Sequence, residues 1–237
     1  MTETKILVVE DEAIVAEAIR IKLKKFGYAV PSTASIGEEA IKKAQEHTPD
    51  LVLMDIVLQG EMDGIEAAEH IRTRFNIPVV YLTAYSDDKT LLRAKITEPF
   101  GYLIKPFKER ELQVAIEIAL FKHGMERKLK EKNEWFSVTL NSISDGVIAT
   151  DSKGYVLFMN SIAQSVIGWK LEDVQGKPLK EVFNIISEKT GQAHETVIMA
   201  RNGMRIPIDA RSNAIKDDKG SIIGVAMVFR GIKECKI

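Results

Sequence analysis

Residues 5–12, Lys5-Ile6-Leu7-Val8-Val9-Glu10-Asp11-Glu12, decide the fold: four consecutive apolar residues run straight into three acids. An uninterrupted apolar run of this length suits a strand covered on both faces, as in a parallel sheet with helices on either side. Three more runs follow, Leu51 to Met54, Val79 to Leu82 and Tyr102 to Ile104, and they close on Asp55, Thr83 and Lys105. Doubly wound sheets place their ligands at the carboxyl ends of such strands, so these distant residues are expected in one pocket. Three carboxylates, a hydroxyl and an ammonium suit a hard divalent cation together with a phosphoryl group. The chemistry this points to is aspartyl phosphorylation.

Between those runs lie amphipathic stretches. Ala13 to Phe26 reads as a first helix stopped by Gly27, Ala29-Val30 as a short second strand, and Ile36 to His47 as a second helix. Asp63-Gly64 turns into a helix ending near Phe75, Asp87 to Ile96 gives a weaker one, and Lys108 opens a strong one. Repeated βα units of this kind predict a five-stranded, doubly wound α/β domain over residues 1–122.

The last helix continues beyond that domain, because no proline occurs between Glu109 and Trp135. Ile118, Phe121, Met125, Leu129, Lys132 and Phe136 recur every three or four residues, the spacing of a packed seam. About 27 residues would reach roughly 40 Å, so residues 123–134 are expected to form a helical linker. Gly124 and Lys132 weaken the seam, leaving a parallel dimeric coiled coil and a solvated linker helix as alternatives. From residue 135 to 237 short β-rich segments take over. Asp151-Ser152-Lys153-Gly154, Arg201-Asn202-Gly203-Met204 and Asp217-Asp218-Lys219-Gly220 read as hairpin turns, with a strand Arg205 to Ala210 after the second and another, Ala214 to Lys216, before the third, and Asn160 as the cap of a short helix. This predicts a smaller α+β domain with an antiparallel sheet.

With 33 basic and 34 acidic residues the chain is nearly neutral. Residues 1–121 hold 15 basic and 20 acidic side chains and the remainder 18 and 14, about −5 against +4. That asymmetry is too modest for a nucleic-acid-binding half, and no helix-turn-helix pattern follows the first domain. The single cysteine, Cys235, builds neither a disulfide framework nor a Cys-rich metal site within one chain. No stretch approaches the ~20 apolar residues of a membrane span, so a cytoplasmic location is expected.

KILVVEDE, DLVLMDIVL, VVYLTAY and GYLIKPF, in this order and spacing, resemble the receiver domain of two-component response regulators over residues 4 to about 122. The resemblance implies Asp55 as phosphoacceptor and Glu10, Asp11 and Asp55 as ligands of Mg²⁺, joined by the backbone carbonyl of Val57. It implies Thr83 as the hydroxyl that follows the phosphoryl group, Lys105 as its counter-ion before a cis Lys105–Pro106 bond, and Tyr102 as an aromatic switch. Taken singly, these residues have plainer readings: an acidic helix start for Glu10-Asp11, strand-end packing for Thr83, a half-exposed sheet edge for Tyr102. One departure stands out. The loop after Asp55 is one residue longer than the common receiver pattern, with Gln59 where proline is usual. Val57 cannot orient a hydrolytic water and Tyr85 could shield one, so a long-lived phosphorylated state is expected.

NSISDGVIATDSKGYVLFMNSIAQSVIGW and RIPIDARSNAIKDDKGSIIGVAMVFRGI resemble a PAS domain over about 133–232. Only about a dozen residues separate Phe183 from the strand near Glu195, where PAS domains ordinarily place a pocket-walling helix. A collapsed core or open groove, without a chromophore, is expected; His194 reads as a surface residue. Together the resemblances imply a response regulator of a phosphorelay, not an enzyme beyond self-catalysed phosphotransfer and dephosphorylation. Expected partners are a histidine kinase, a second copy through the linker helix or PAS domain, and a downstream signalling protein, without nucleic acid or membrane. A haloacid-dehalogenase-like phosphatase would need an aspartate where Val57 stands. A hybrid histidine kinase would need a Gly-rich ATP lid and a kinase-type helix around one of the four histidines.

Overall fold

The computed structural model describes residues 3–84, 93, 97, 99–190 and 193–231, the side chains of 187–190 and 193–195 excepted. The chain divides into two compact units at Lys130/Glu131. In the first, β1 (Ile6–Val9), β2 (Thr33–Ala34), β3 (Leu51–Asp55), β4 (Val79–Thr83) and β5 (Gly101–Ile104) form one sheet in the order β2-β1-β3-β4-β5. All four pairings are parallel. Helices α1 (Ala13–Lys25), α2 (Gly37–His47), α3 (Gly64–Phe75) and α4 (Glu109–Asn141) accompany it.

Side chains alternate along each strand, so the sheet feeds two cores. Leu7, Val9, Val52 and Met54 pack with Ala40, Ala44, Ala68 and Ile71 of α2 and α3. Ile6, Val8, Leu51 and Leu53 pack with Ile19 and Leu23 of α1 and with Leu112, Ile116 and Ala119 of α4. Burial on both faces explains why β1 and β3 read as unbroken apolar runs.

The second strand lies elsewhere than the sequence suggested. Ala29 makes only an isolated bridge to Lys5, and the ladder resumes at Thr33–Ala34. Pro31 between them has no N–H to give a ladder, which splits this edge into two short contacts. The helix expected over Asp87 to Ile96 lies outside the described residues except for Arg93, as do Tyr85 and Cys235. Helix α4 runs six residues past the expected Trp135, for 33 in all.

The second unit holds a six-stranded sheet in the order β7-β6-β11-β10-β9-β8, antiparallel throughout. Its strands are β6 (Gly146–Asp151), β7 (Val156–Met159), β8 (Asn184–Thr190), β9 (Ala193–Met199), β10 (Arg205–Lys216) and β11 (Ile222–Gly231). Three short helices, α5 (Ser161–Ile167), α6 (Leu171–Val174) and α7 (Leu179–Val182), fall between β7 and β8. Two features depart from the sequence reading. Residues 184–190, in the short stretch before Glu195 where the sequence predicts no strand, form β8 and pair with β9 along its full length. The strand expected to stop at Ala210 continues to Lys216, because Arg211, Ser212 and Asn213 pair with Val228, Met227 and Ala226.

Asn160 organises the start of this unit. It is fully buried, and its Oδ1 accepts from the N–H groups of Val147 and Ala163 while Nδ2 donates to the carbonyls of Leu140 and Asp145. One side chain thereby caps α5 and fixes the end of α4 to the strand β6. Asn160→Ala leaves these groups unpaired, and each orphan costs about 1–3 kcal/mol, so a total loss of roughly 4 kcal/mol is expected. Both tryptophans, Trp135 and Trp169, lie in this unit. Urea unfolding followed by tryptophan fluorescence will therefore report the loss, and an unchanged midpoint would refute it.

Candidate functional site

The site grows from the parallel register. Val9 pairs with Met54, Asp55 with Leu82 and Thr83 with Ile104, so β1, β3, β4 and β5 end at one edge. Glu10, the first residue beyond β1, is held there by its N–H to the Ala34 carbonyl and is 2% exposed. Asp55, the last residue of β3, is also buried, and its Oδ1 accepts from Val57 N–H at 3.1 Å.

Lys105 spans the two acids. Its Nζ lies 2.6 Å from Glu10 Oε2 and 2.6 Å from Asp55 Oδ2, across 95 and 50 residues of sequence. The Lys105–Pro106 peptide bond is cis. Asp11 completes the cluster: ligand oxygens of Glu10, Asp11 and Asp55 all lie within 4.8 Å of one another. Asp11 Oδ2 also accepts from Gln59 Nε2 at 3.2 Å.

The electrostatics follow from burial. Desolvation pushes the Glu10 carboxyl up, the Lys105 hydrogen bond pulls it down, and the like charge of Asp55 pushes it up again; the net direction is upward. For Lys105 burial is the largest single influence and favours the neutral amine. The hydrogen bonds and charges of Asp55 and Glu10 together outweigh it and hold the ammonium above its usual range. Glu10 Oε1 is buried without a hydrogen-bond partner. A buried carboxylate oxygen with an unused lone pair, among three acids and one ammonium, fits a small hard cation that takes oxygen ligands.

Thr83 reaches the same edge as the last residue of β4, buried, with its hydroxyl donating to the Ala84 carbonyl at 2.6 Å. Tyr102 on β5 packs its ring 5.8 Å from that of Tyr81, and its hydroxyl is buried without a hydrogen-bond partner. Burial pushes the Tyr102 phenol upward, and the Tyr81 phenol up to about 12. Tyr81 itself, buried on β4 and hydrogen-bonded to Thr97 Oγ1 at 2.8 Å, was not singled out in sequence. Its position inside an apolar run gave no hint of a polar partner. Val57 is brought to Asp55 through its N–H, while its side chain is exposed.

Gly64 was read only as part of a turn. Its N–H donates to the Ile56 carbonyl, and a Cβ there would lie 1.8 Å from the Asp55 carbonyl oxygen. The start of α3, capped by the Asp63 carboxylate on Ile65 and Glu66 N–H, is thus pressed against the backbone of Asp55.

Both units have counterparts among known proteins. Residues 6–117 match the response regulator receiver domain and residues 135–232 the PAS fold. The transcriptional regulatory protein PdtaR of Mycobacterium tuberculosis H37Rv is 38% identical over 116 residues, 49% of this chain and 56% of that protein. ResD of Bacillus subtilis, also a transcriptional regulatory protein, is 36% identical over 118 residues, 50% of this chain and 48% of its own. The chain thus spans about half the length of the curated relatives it matches. Among solved structures, the signal receiver domain of a modulated diguanylate cyclase from Desulfovibrio desulfuricans G20 superposes with a TM-score of 0.51 at 38% identity, over 53% of this chain and 99% of that one. The chain thus joins a response regulator receiver domain to a PAS domain. Among the described residues, no helix is long and apolar enough to cross a membrane.

Proposed function

We propose that Asp55 accepts a phosphoryl group from a histidine kinase in a Mg²⁺-dependent reaction, and that α4 passes the resulting change to the PAS domain. The observation that carries this reading is Lys105 Nζ held at 2.6 Å from both Glu10 and Asp55. Glu10, Asp11, Asp55 and the Val57 carbonyl would hold the ion. Bound there, Mg²⁺ supplies positive charge to the phosphoryl oxygens as they approach three carboxylates. An Asp55 carboxylate oxygen forms the new P–O bond while the bond from phosphorus to the donor breaks, and the donor keeps that electron pair.

Lys105 then exchanges a carboxylate oxygen for a phosphoryl oxygen, and Thr83 exchanges the Ala84 carbonyl for another. These replacements make contacts that differ between the two states, which a switch requires. Drawing Thr83 towards Asp55 shifts the end of β4 beside the Tyr81–Tyr102 ring pair, and Tyr102 lies on the strand preceding α4. Only self-catalysed phosphotransfer and dephosphorylation belong to this reading. Residues 1–122 would be the receiver, 123–134 the linker and 135–237 the PAS domain acting on a downstream signalling protein. The transcriptional roles of PdtaR and ResD are not carried over, because each match covers only about half of this chain.

Helix α4 also supports self-association. Ile118, Phe121, Met125, Leu129 and Phe136 are exposed on it, Phe121 at 72%. Ile118 and Leu129, Phe121 and Lys132, Met125 and Phe136 are each eleven residues apart. An eleven-residue repeat advances 3.67 residues per turn and keeps the stripe on one side of a nearly straight helix. A second copy would cover it. Phe121→Glu is expected to weaken a dimer on the order of 100-fold, as a central aromatic contact would. Light scattering with and without beryllofluoride and Mg²⁺ tests both parts. Mass or shape should respond in the wild type and not in Asp55→Asn, and Phe121→Glu should be monomeric. Equal responses in wild type and Asp55→Asn would refute switching through Asp55.

A further inference from the structure

We infer that Gln59 is a positioning residue for the metal site, holding the Asp11 carboxylate in its ligating orientation; this rests on the Mg²⁺ reading above. Glu10 and Asp55 are buried and fixed by Lys105, whereas Asp11 is only partly buried and needs another restraint. That restraint comes from the loop that departs from the receiver pattern. Gln59 Nε2 reaches back across 48 residues of sequence to Asp11 Oδ2 at 3.2 Å.

The hydrogen bond has only one possible polarity. An ionised carboxylate accepts and cannot donate, so the amide nitrogen must face Asp11. This engages Oδ2 and leaves the other oxygen of Asp11 for a cation. Gly60, next in the chain, adopts φ +117°, a conformation that side-chain-bearing residues avoid, and a Cβ there would approach Ile36 and Glu38. The lengthened loop thereby turns immediately after Gln59. A side chain without a donor at position 59 could not make this bond.

Outer partners of metal ligands commonly matter 10- to 100-fold in affinity. Gln59 is exposed and its bond is not short, so about a three- to tenfold effect is expected here. The experiment is calorimetric titration of Mg²⁺ into the full chain, with melting temperatures measured in chelator, for wild type, Gln59→Ala and Gln59→Met. Both variants should bind Mg²⁺ about three- to tenfold more weakly and melt without metal at the wild-type temperature. Methionine keeps the length and loses the donor, so wild-type affinity in Gln59→Met would overturn the inference. Unchanged affinity in Gln59→Ala would do the same, as would a weakening that tracks a lowered metal-free melting temperature. No measurable Mg²⁺ binding by the wild type would instead overturn the metal reading on which the inference rests.

Discussion

Gly64→Ala is expected to unfold the receiver or displace its phosphoacceptor. The added methyl would sit 1.8 Å from the Asp55 carbonyl oxygen, 2.8 Å from its carbon and 3.1 Å from Ile56 Cα, all backbone atoms of the last residue of the central strand and the one after it. No rotamer relieves a clash with backbone, so either α3 lifts off the sheet or the end of β3 moves. Overpacking of this kind costs about 1–3 kcal/mol where neighbours can yield. Here they cannot, and a loss of roughly 4 kcal/mol or more is expected. Circular dichroism melts should show a strongly lowered transition, and any folded fraction should phosphorylate poorly. Gly124→Ala is the matched control. Its Cβ meets nothing within 4 Å, inside helix α4, so it should gain about 0.5–1 kcal/mol. Equal melting temperatures for Gly64→Ala and wild type would mean that α3 does not approach Asp55 this closely.

Lys105→Ala is expected to be the second most damaging change, through both charge and chemistry. It removes the cation that Glu10 and Asp55 share at 2.6 Å each. Breaking a buried pair costs about 3–5 kcal/mol; the lysine side chain is 21% exposed, so about 2–3 kcal/mol is the better expectation. Phosphotransfer should fall on the order of 100-fold or more, because a preorganised positive charge at the phosphoryl oxygens is lost.

The pH dependence has a definite sign. The Glu10 carboxyl already lies above its ordinary 4.5, chiefly through burial, and losing Lys105 removes two influences that pull it down. A carboxyl raised in the folded state favours folding at acid pH, and that contribution is lost as pH rises through the folded value. The deficit of Lys105→Ala should therefore be small near pH 4.5 and grow as pH rises. Excess Mg²⁺ should stabilise the variant more than the wild type, since the ion restores the missing positive charge. Equal Mg²⁺ stabilisation of the two would contradict a shared cation site.

Much of the receiver was legible in sequence because its strands are buried on both faces and its polar residues end them. Ile6–Val9 into Glu10, and Leu51–Met54 into Asp55, need no tertiary knowledge to be read as strand and site. What escaped depends on distant partners. Thr33–Ala34 is a two-residue strand beyond Pro31, too short to carry a pattern. In β8, Asn184-Ile185-Ile186-Ser187-Glu188-Lys189-Thr190 has a polar second half and becomes a strand through pairing with β9. Position 64 showed its turn potential, whereas its requirement for glycine comes from Asp55 lying underneath. The four hydrogen bonds of Asn160 and the reach of Gln59 to Asp11 likewise exist only once the chain is folded.

The most direct test of the central claim is peptide mapping by mass spectrometry after exposure to acetyl phosphate, with and without Mg²⁺. A single phosphoryl group should appear on the peptide that holds Asp55, only when Mg²⁺ is present, and disappear in Asp55→Asn. No label on Asp55 in the presence of Mg²⁺, or label that persists in Asp55→Asn, would contradict it.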